Sequence, residues 1–421
     1  MYERKVCGMY ERKRATRRAN SPKILIAAVC AALVACGEPA SETGWTIVRD
    51  TLPSGTARVV NTPPASATHT WTLVEELRVG TVEGAGPDAF AYLEGLVVLE
   101  DGRFAVLDSQ AQELRVFGPD GAHVATHGGP GEGPGEFVNA NGLMLDPQGR
   151  IWVPDSRNGR MSVFDPAEGF VESFPFADGN FYASWNGALV EGSRIYRPWS
   201  SGNRRRLHVY DLTMTRVDSL PLPGDRPEDE EWDPRSQRGA FYQETGGGGY
   251  MMYGIPFHAS EVRTIDPRGA VWSTRDGDPD YRIKRWQPGG DTTLLVETRR
   301  PPVPVPTVER DSVIDMMRRM VSDMGVGEWD WSRVPTVRPA VEDIFQSAEG
   351  NLWVRTPSGG EGALFDVYSG DGAYLGTASS GLGLHLSEHV RPVVRGNLVW
   401  LVVTDELDVP YVIRGRIAPA G

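Results

Sequence analysis

Few residues in this chain fall at spacings that support chemistry. His385-Leu386-Ser387-Glu388-His389 spells H-x-x-E-H. On a helix that pattern sets two imidazoles one turn apart to hold zinc, with the glutamate as base. Gly381 and Gly383 precede it and Pro392 follows, leaving barely two turns between strand patterns, so the segment reads as an exposed loop. His123 and His127 flank a turn, and His69, His208 and His258 have no companion in the sequence. Cys7, Cys30 and Cys36 are the three cysteines, and none follows. A disulfide, a thiolate zinc site or a cysteine nucleophile is therefore excluded beyond residue 36. No P-loop, dinucleotide-binding glycine motif or nucleophile-elbow serine occurs. Neither a metal site nor a cofactor is expected.

What remains is a set of polar residues where strand patterns end: Asp108, Asp155, Arg157, Asn158, Arg197, Arg275 and Arg355. Two carboxylates facing several arginines make a mixed-charge rim rather than a cation cage. Guanidinium clusters suit anionic groups, which they grip through paired hydrogen bonds. The alternative for Asp108 and Asp155 is turn capping, a common use of aspartate.

The elements that must position these residues form a repeat. An apolar strand, a glycine turn, a second apolar strand and a third ending in an aromatic recur six times. The first copy has Leu96–Leu99, Asp101-Gly102, Phe104–Asp108 and Leu114–Phe117; the second has Leu143–Leu145, Gln148-Gly149, Ile151–Asp155 and Met161–Phe164. Later copies centre on Ile195-Tyr196, Val271-Trp272, Leu352–Val354 and Leu398–Leu401. No such unit can bury both faces alone, so the copies must stack radially and close into a ring. Trp71–Leu77 is an extra strand ahead of the first copy, placed to complete the last blade beside Tyr411–Ile417. The expected fold class is all-β, a six-bladed β-propeller closed by an N-terminal strand.

Gly128-Gly129-Pro130-Gly131-Glu132-Gly133-Pro134-Gly135-Glu136-Phe137 resembles the signature of NHL-type six-bladed propellers. The likeness covers about residues 71–417 and is strongest in the first two copies. Copies three and four depart from it, since Asp108 and Asp155 have no acidic counterpart at Trp199 or Arg275. Gluconolactonase-like relatives hold a divalent cation at the channel mouth and amidating lyases use zinc, which implies a metal-dependent hydrolase or lyase as the alternative to a binding or scaffold role.

Two insertions interrupt the repeat. Residues 221–258 read as a long acidic, glycine-rich loop. Residues 301–340 begin with alternating prolines and turn helical, with Val313, Met316, Met317, Met320, Val321 and Met324 on one stripe and Gly325 as its stop. The stripe is expected to pack on a blade face.

The head of the chain is of another kind. Residues 24–35 are apolar and follow a basic stretch, too short to span a bilayer comfortably but suited to a signal-peptide core. The run ends in Leu33-Val34-Ala35-Cys36, which resembles the bacterial lipobox and implies lipidation of Cys36. Residues 1–35 are thus expected to be a lipoprotein signal peptide, 36–68 a flexible tether with few contacts, and 69–417 the propeller. The chain carries a net charge of −13; without the eight Lys/Arg and two Glu of residues 1–35 it falls to −19. Such a surface repels phosphate backbones, so nucleic acid is not an expected partner. The expected protein is a monomer anchored by lipid in the cell envelope that binds a protein, a peptide or an anionic small molecule.

Overall fold

The computed structural model describes residues 44–64, 69–176, 185–202, 204–226, 233–244, 249–323, 328–357, 362–382 and 384–420. The expected signal peptide and Cys36 lie outside them, as do Met324 and Gly325 of the expected helix stop. Six blades of antiparallel strands follow one another along the chain. Blade 1 comprises Leu93–Val98, Phe104–Asp108, Glu113–Phe117 and His123–Gly128; blade 2 comprises Met144–Leu145, Ile151–Asp155, Arg160–Asp165 and Gly169–Pro175. Blade 3 runs from Ala188–Val190 to Arg216–Pro221, blade 4 from Arg263–Ile265 to Thr292–Thr298, and blade 5 from Asp343–Gln346 to Tyr374–Ser379. Blade 6 combines Val393–Arg395, Leu398–Thr404 and Pro410–Pro419 with the N-terminal strand Trp71–Val79. That strand runs antiparallel to Pro410–Pro419 from Val79↔Val412 to Trp71↔Pro419, which is the expected clasp.

Local chemistry sets the turns. In blade 2 the Asp146 carboxylate accepts from the Gln148 and Arg150 amides, and Gly149 takes φ +79°, a conformation open to glycine at little cost. Asp266 and Gly269 repeat this device in blade 4. Apolar faces then pack blade against blade: Leu107 and Leu114 of blade 1 share one buried cluster with Phe137, Val153 and Phe164. The glycine-rich segment serves the same packing. Phe137 is fully buried, and a Cβ on Gly128 would meet its ring at 2.5 Å.

Two expectations need correction. The tether does not extend to residue 68. Thr46–Thr51 and Ala57–Thr62 form a hairpin, and the second strand runs parallel to Thr292–Thr298, widening blade 4 to six strands. The cause is burial: Trp45 and Val59 are each 2% exposed in a cluster shared by blades 4 and 5, and Trp45 stacks on Tyr374 at 3.6 Å. Fully buried Asn61 bonds Gly372 O (3.1 Å) and the Tyr374 amide (3.0 Å), fastening the hairpin to blade 5.

The insertions also differ from expectation. Within 221–258, Ala240–Glu244 and Tyr250–Gly254 pair as a hairpin. The helix spans Thr307–Asp323 and buries Ile314, Met317 and Val321, whereas Met316 is 56% exposed. Its apolar stripe packs against Phe241 and Ile255 of the other insertion and against Trp329, Trp331 and Val334 of its own, rather than on a blade. Both insertions connect the last strand of one blade to the first of the next, so they rise from the same end of the ring.

Candidate functional site

Asp108 and Asp155 end the second strands of their blades, and neither belongs to an open rim. Both are fully buried. Asp155 accepts from the Val138 and Asn139 amides at 2.9 Å, from the Asn158 amide at 3.2 Å and from Asn158 Nδ2 at 2.7 Å. Asp108 does the same for the Ala91, Tyr92 and Ala111 amides. Each carboxylate ties the loop entering its blade to the turn leaving the second strand, so capping displaces the expected rim role. In blade 4 the incoming Val262 amide is met instead by the Thr274 hydroxyl, which explains how that copy does without the aspartate.

The expected arginines scatter. Arg197 is buried, with its guanidinium 5.4 Å from the Phe176 ring and 5.7 Å from that of Trp185. Arg157 and Arg275 are exposed in turns. Arg355 pairs with Glu342 at 3.4 Å, and burial pushes the Glu342 carboxyl above the ordinary range. The H-x-x-E-H segment is not helical. His385-Leu386 is a short strand paired with Thr404 and Val403, and the His389 amide donates to Ser387 Oγ. His208 and His258 do find neighbours, Tyr210 Oη and Asp276, each at 3.3 Å.

The structure assembles a different set of arginines. A cleft of about 570 Å³ is lined by Leu143 of blade 2, Trp185 to Ala188 and Pro198 to Ser200 of blade 3, Glu261 to Ile265 entering blade 4, and Arg391 before blade 6. Side chains from these blades can share one cavity only around the ring axis, so this is a mouth of the central channel. The Arg391 Nη2–H donates to Arg263 O at 2.8 Å, spanning from blade 6 to blade 4.

Within it, Glu261 accepts from both Arg205 and Arg263, the latter at 2.7 Å. Arg391 holds Asp343 through two hydrogen bonds of 3.0 and 3.2 Å. Three guanidiniums thus share two carboxylates, which leaves one positive charge in the cluster. Burial lowers the Arg263 pKa from its ordinary value, opposed by Glu261. Arginine stays charged even so, and an unmatched charge acts more strongly where water is thinned out.

A larger cleft of about 730 Å³ lies beside the start of the helical insertion. Its Arg282, Arg300 and Arg338 are each matched by a carboxylate, from Asp280, Asp366 and Glu309. Among the described residues, no group of three or more His, Cys, Asp or Glu is placed to hold a metal ion.

Sequence reasoning missed Arg205, Arg263 and Arg391. One signal was present: Arg263 is a charged residue at the start of the innermost strand of its blade, as Asp343 is in blade 5. That Arg391 faces it follows from ring closure alone, which no local pattern encodes.

A family model described as 6-bladed beta-propeller (DUF5128) matches residues 92–181, essentially blades 1 and 2. No curated protein gives a match. Among solved structures the chain is similar to a member of the duf4221 family from Bacteroides vulgatus, at 10% identity and a TM-score of 0.47, over 84% of this chain and 99% of that one. It is similar also to virginiamycin B lyase from Staphylococcus aureus, at 13% identity and a TM-score of 0.41, over 77% and 95%. Neither likeness bears on activity. From its own six blades and the family match, the chain is a six-bladed β-propeller.

Proposed function

We propose that this chain is an exported, lipid-anchored binding propeller of NHL type whose channel mouth recognises an anionic group on a small molecule, a peptide or a protein. The observation that supports it is the arginine surplus at the mouth: Arg205, Arg263 and Arg391 around Glu261 and Asp343. The basic n-region, the apolar 24–35 and Leu33–Cys36 support the export and anchoring half of the reading.

Both halves are testable in one strain. Cys36→Ala abolishes incorporation of a fatty-acid probe; unchanged labelling would sink the lipobox. For the mouth, di- and tricarboxylates raise the melting temperature of the wild-type protein by mass action, and Arg263→Gln removes that rise. Loss of one charged hydrogen-bond partner costs about 1.5–3 kcal/mol of binding, more than tenfold in affinity. A stoichiometric calcium or zinc ion that co-purifies, and whose chelation lowers the melting temperature, would favour the hydrolase or lyase reading instead.

A further inference from the structure

We infer that the anionic ligand of the channel mouth is an acidic saccharide, a pyranose ring carrying a carboxylate; this deepens the anion-binding reading above and rests on it. The cleft lining holds two unlike groups of side chains. One is the guanidinium cluster. The other is aromatic, formed by Trp185 and Trp199. Trp185 is set there by two glycines. A Cβ on Gly142 would stand 2.3 Å from Trp185 Cβ, and one on Gly187 would stand 2.2 Å from its Cζ2. Any side chain at either position would displace the indole. Its amide is also fixed, donating to Asn141 O at 2.7 Å. Trp199 is braced by His208, stacked at 4.9 Å with planes 20° apart.

Both indoles stay partly exposed at the cleft although the fold buries Trp152 and Trp272 completely. Braced, half-open indoles thus stand in the same cleft as a partly exposed guanidinium cluster. Its chemistry is specific. The negative π face of an indole meets the weakly positive C–H face of a sugar ring, while a guanidinium takes the ring's carboxylate in paired hydrogen bonds. Asn186, Ser200 and Glu261, also in the lining, present donors and acceptors for hydroxyl groups. A dicarboxylate or an acidic peptide would engage the arginines but has no need of two fixed indole faces. The cleft, at about 570 Å³, lies within the range of roughly 300–1,000 Å³ usual for small-ligand sites.

Calorimetric titration of the detergent-solubilised full chain tests this with three probes. They are a set of uronate trisaccharides (galacturonate, glucuronate, mannuronate), the neutral maltotriose, and a triglutamate peptide. At least one uronate binds tenfold or more tighter than triglutamate, and maltotriose does not bind. Arg263→Gln weakens uronate and triglutamate alike. Trp185→Ala weakens the uronate at least tenfold and leaves triglutamate unchanged, while Trp185→Phe, which keeps an aromatic face, retains most of the affinity. Should Trp185→Ala melt early, Trp199→Ala carries the same test. Triglutamate binding as tightly as every uronate, untouched by either tryptophan variant, overturns the saccharide and leaves the anion reading standing. If no probe binds, or Arg263→Gln changes nothing, both fall.

Discussion

A carboxylate able to ligate a metal or move a proton is, at Asp155, wholly occupied in holding its own blade together. Its oxygens are met by three amides and the Asn158 side chain, with no exposure to solvent. Asp155→Ala leaves those buried donors without acceptors, and each unsatisfied group costs about 1–3 kcal/mol. A loss of roughly 2–4 kcal/mol is expected in urea unfolding, seen as a lower midpoint with an unchanged slope. Neighbouring Arg157, exposed in the following turn, should tolerate alanine within about 0.5 kcal/mol. Equal effects of the two substitutions would show that Asp155 is not the latch described. This scale was the least legible in the sequence. Residue type and strand-end position are identical for a capping and a ligating aspartate, and only burial with its amide partners tells them apart. The same holds for Arg197, which is buried with its guanidinium beside the rings of Phe176 and Trp185.

At the scale of elements, the hairpin Thr46–Thr62 joins parts of the chain that nothing local connects. It adds two strands to blade 4, and through Asn61 and Trp45 it grips blade 5. Arg300 stands 5.4 Å from the Trp45 ring and pairs at 2.6 Å with the fully buried Asp366, itself bonded by Tyr281 and Thr377. Trp45 therefore closes a buried polar network as well as an apolar cluster. Trp45→Ala should cost about 3–5 kcal/mol, as for other buried aromatics, and should expose the Asp366–Arg300 pair to water. The check is calorimetric melting alongside Tyr92→Ala, a surface aromatic 43% exposed, which should barely move. Comparable melting of the two variants would contradict the staple. The repeat made six blades readable because each copy carries its own turn and strand pattern. The hairpin escaped because Ser, Thr and Pro dominate residues 37–68, and because its partner strand lies more than 200 residues away. A Pro53-Ser54-Gly55 turn between two short β-rich runs was the available sign; Gly55 takes φ +84° there. The helix was legible, but its packing partner was not, since the stripe shows only that something apolar must cover it.

For the molecule as a whole, stability depends on closing the ring. Trp71–Val79 supplies the outer strand of blade 6, and its Trp71 and Thr72 also pair with Ala378 and Ser379 of blade 5, merging blades 5 and 6 into one nine-stranded sheet. The strand that precedes blade 1 meets the C-terminal strand in this blade, so closure waits on contacts between distant parts of the chain. Three N-terminal truncations separate the contributions. Removing residues up to 43 should leave melting unchanged, because Trp45 and everything after it keep their contacts. Removing residues up to 64 should lower the melting temperature while preserving a single cooperative transition, since the ring stays closed and only the staple is lost. Removing residues up to 80 strips the clasp as well, exposing the full length of Pro410–Pro419 as an unpaired edge that invites strand addition from another copy. Aggregation during light scattering and loss of a sharp transition are the expected results for that variant. If it melts as the 64-residue truncation does and stays monodisperse, the ring is held by blade-to-blade packing alone and the clasp is dispensable.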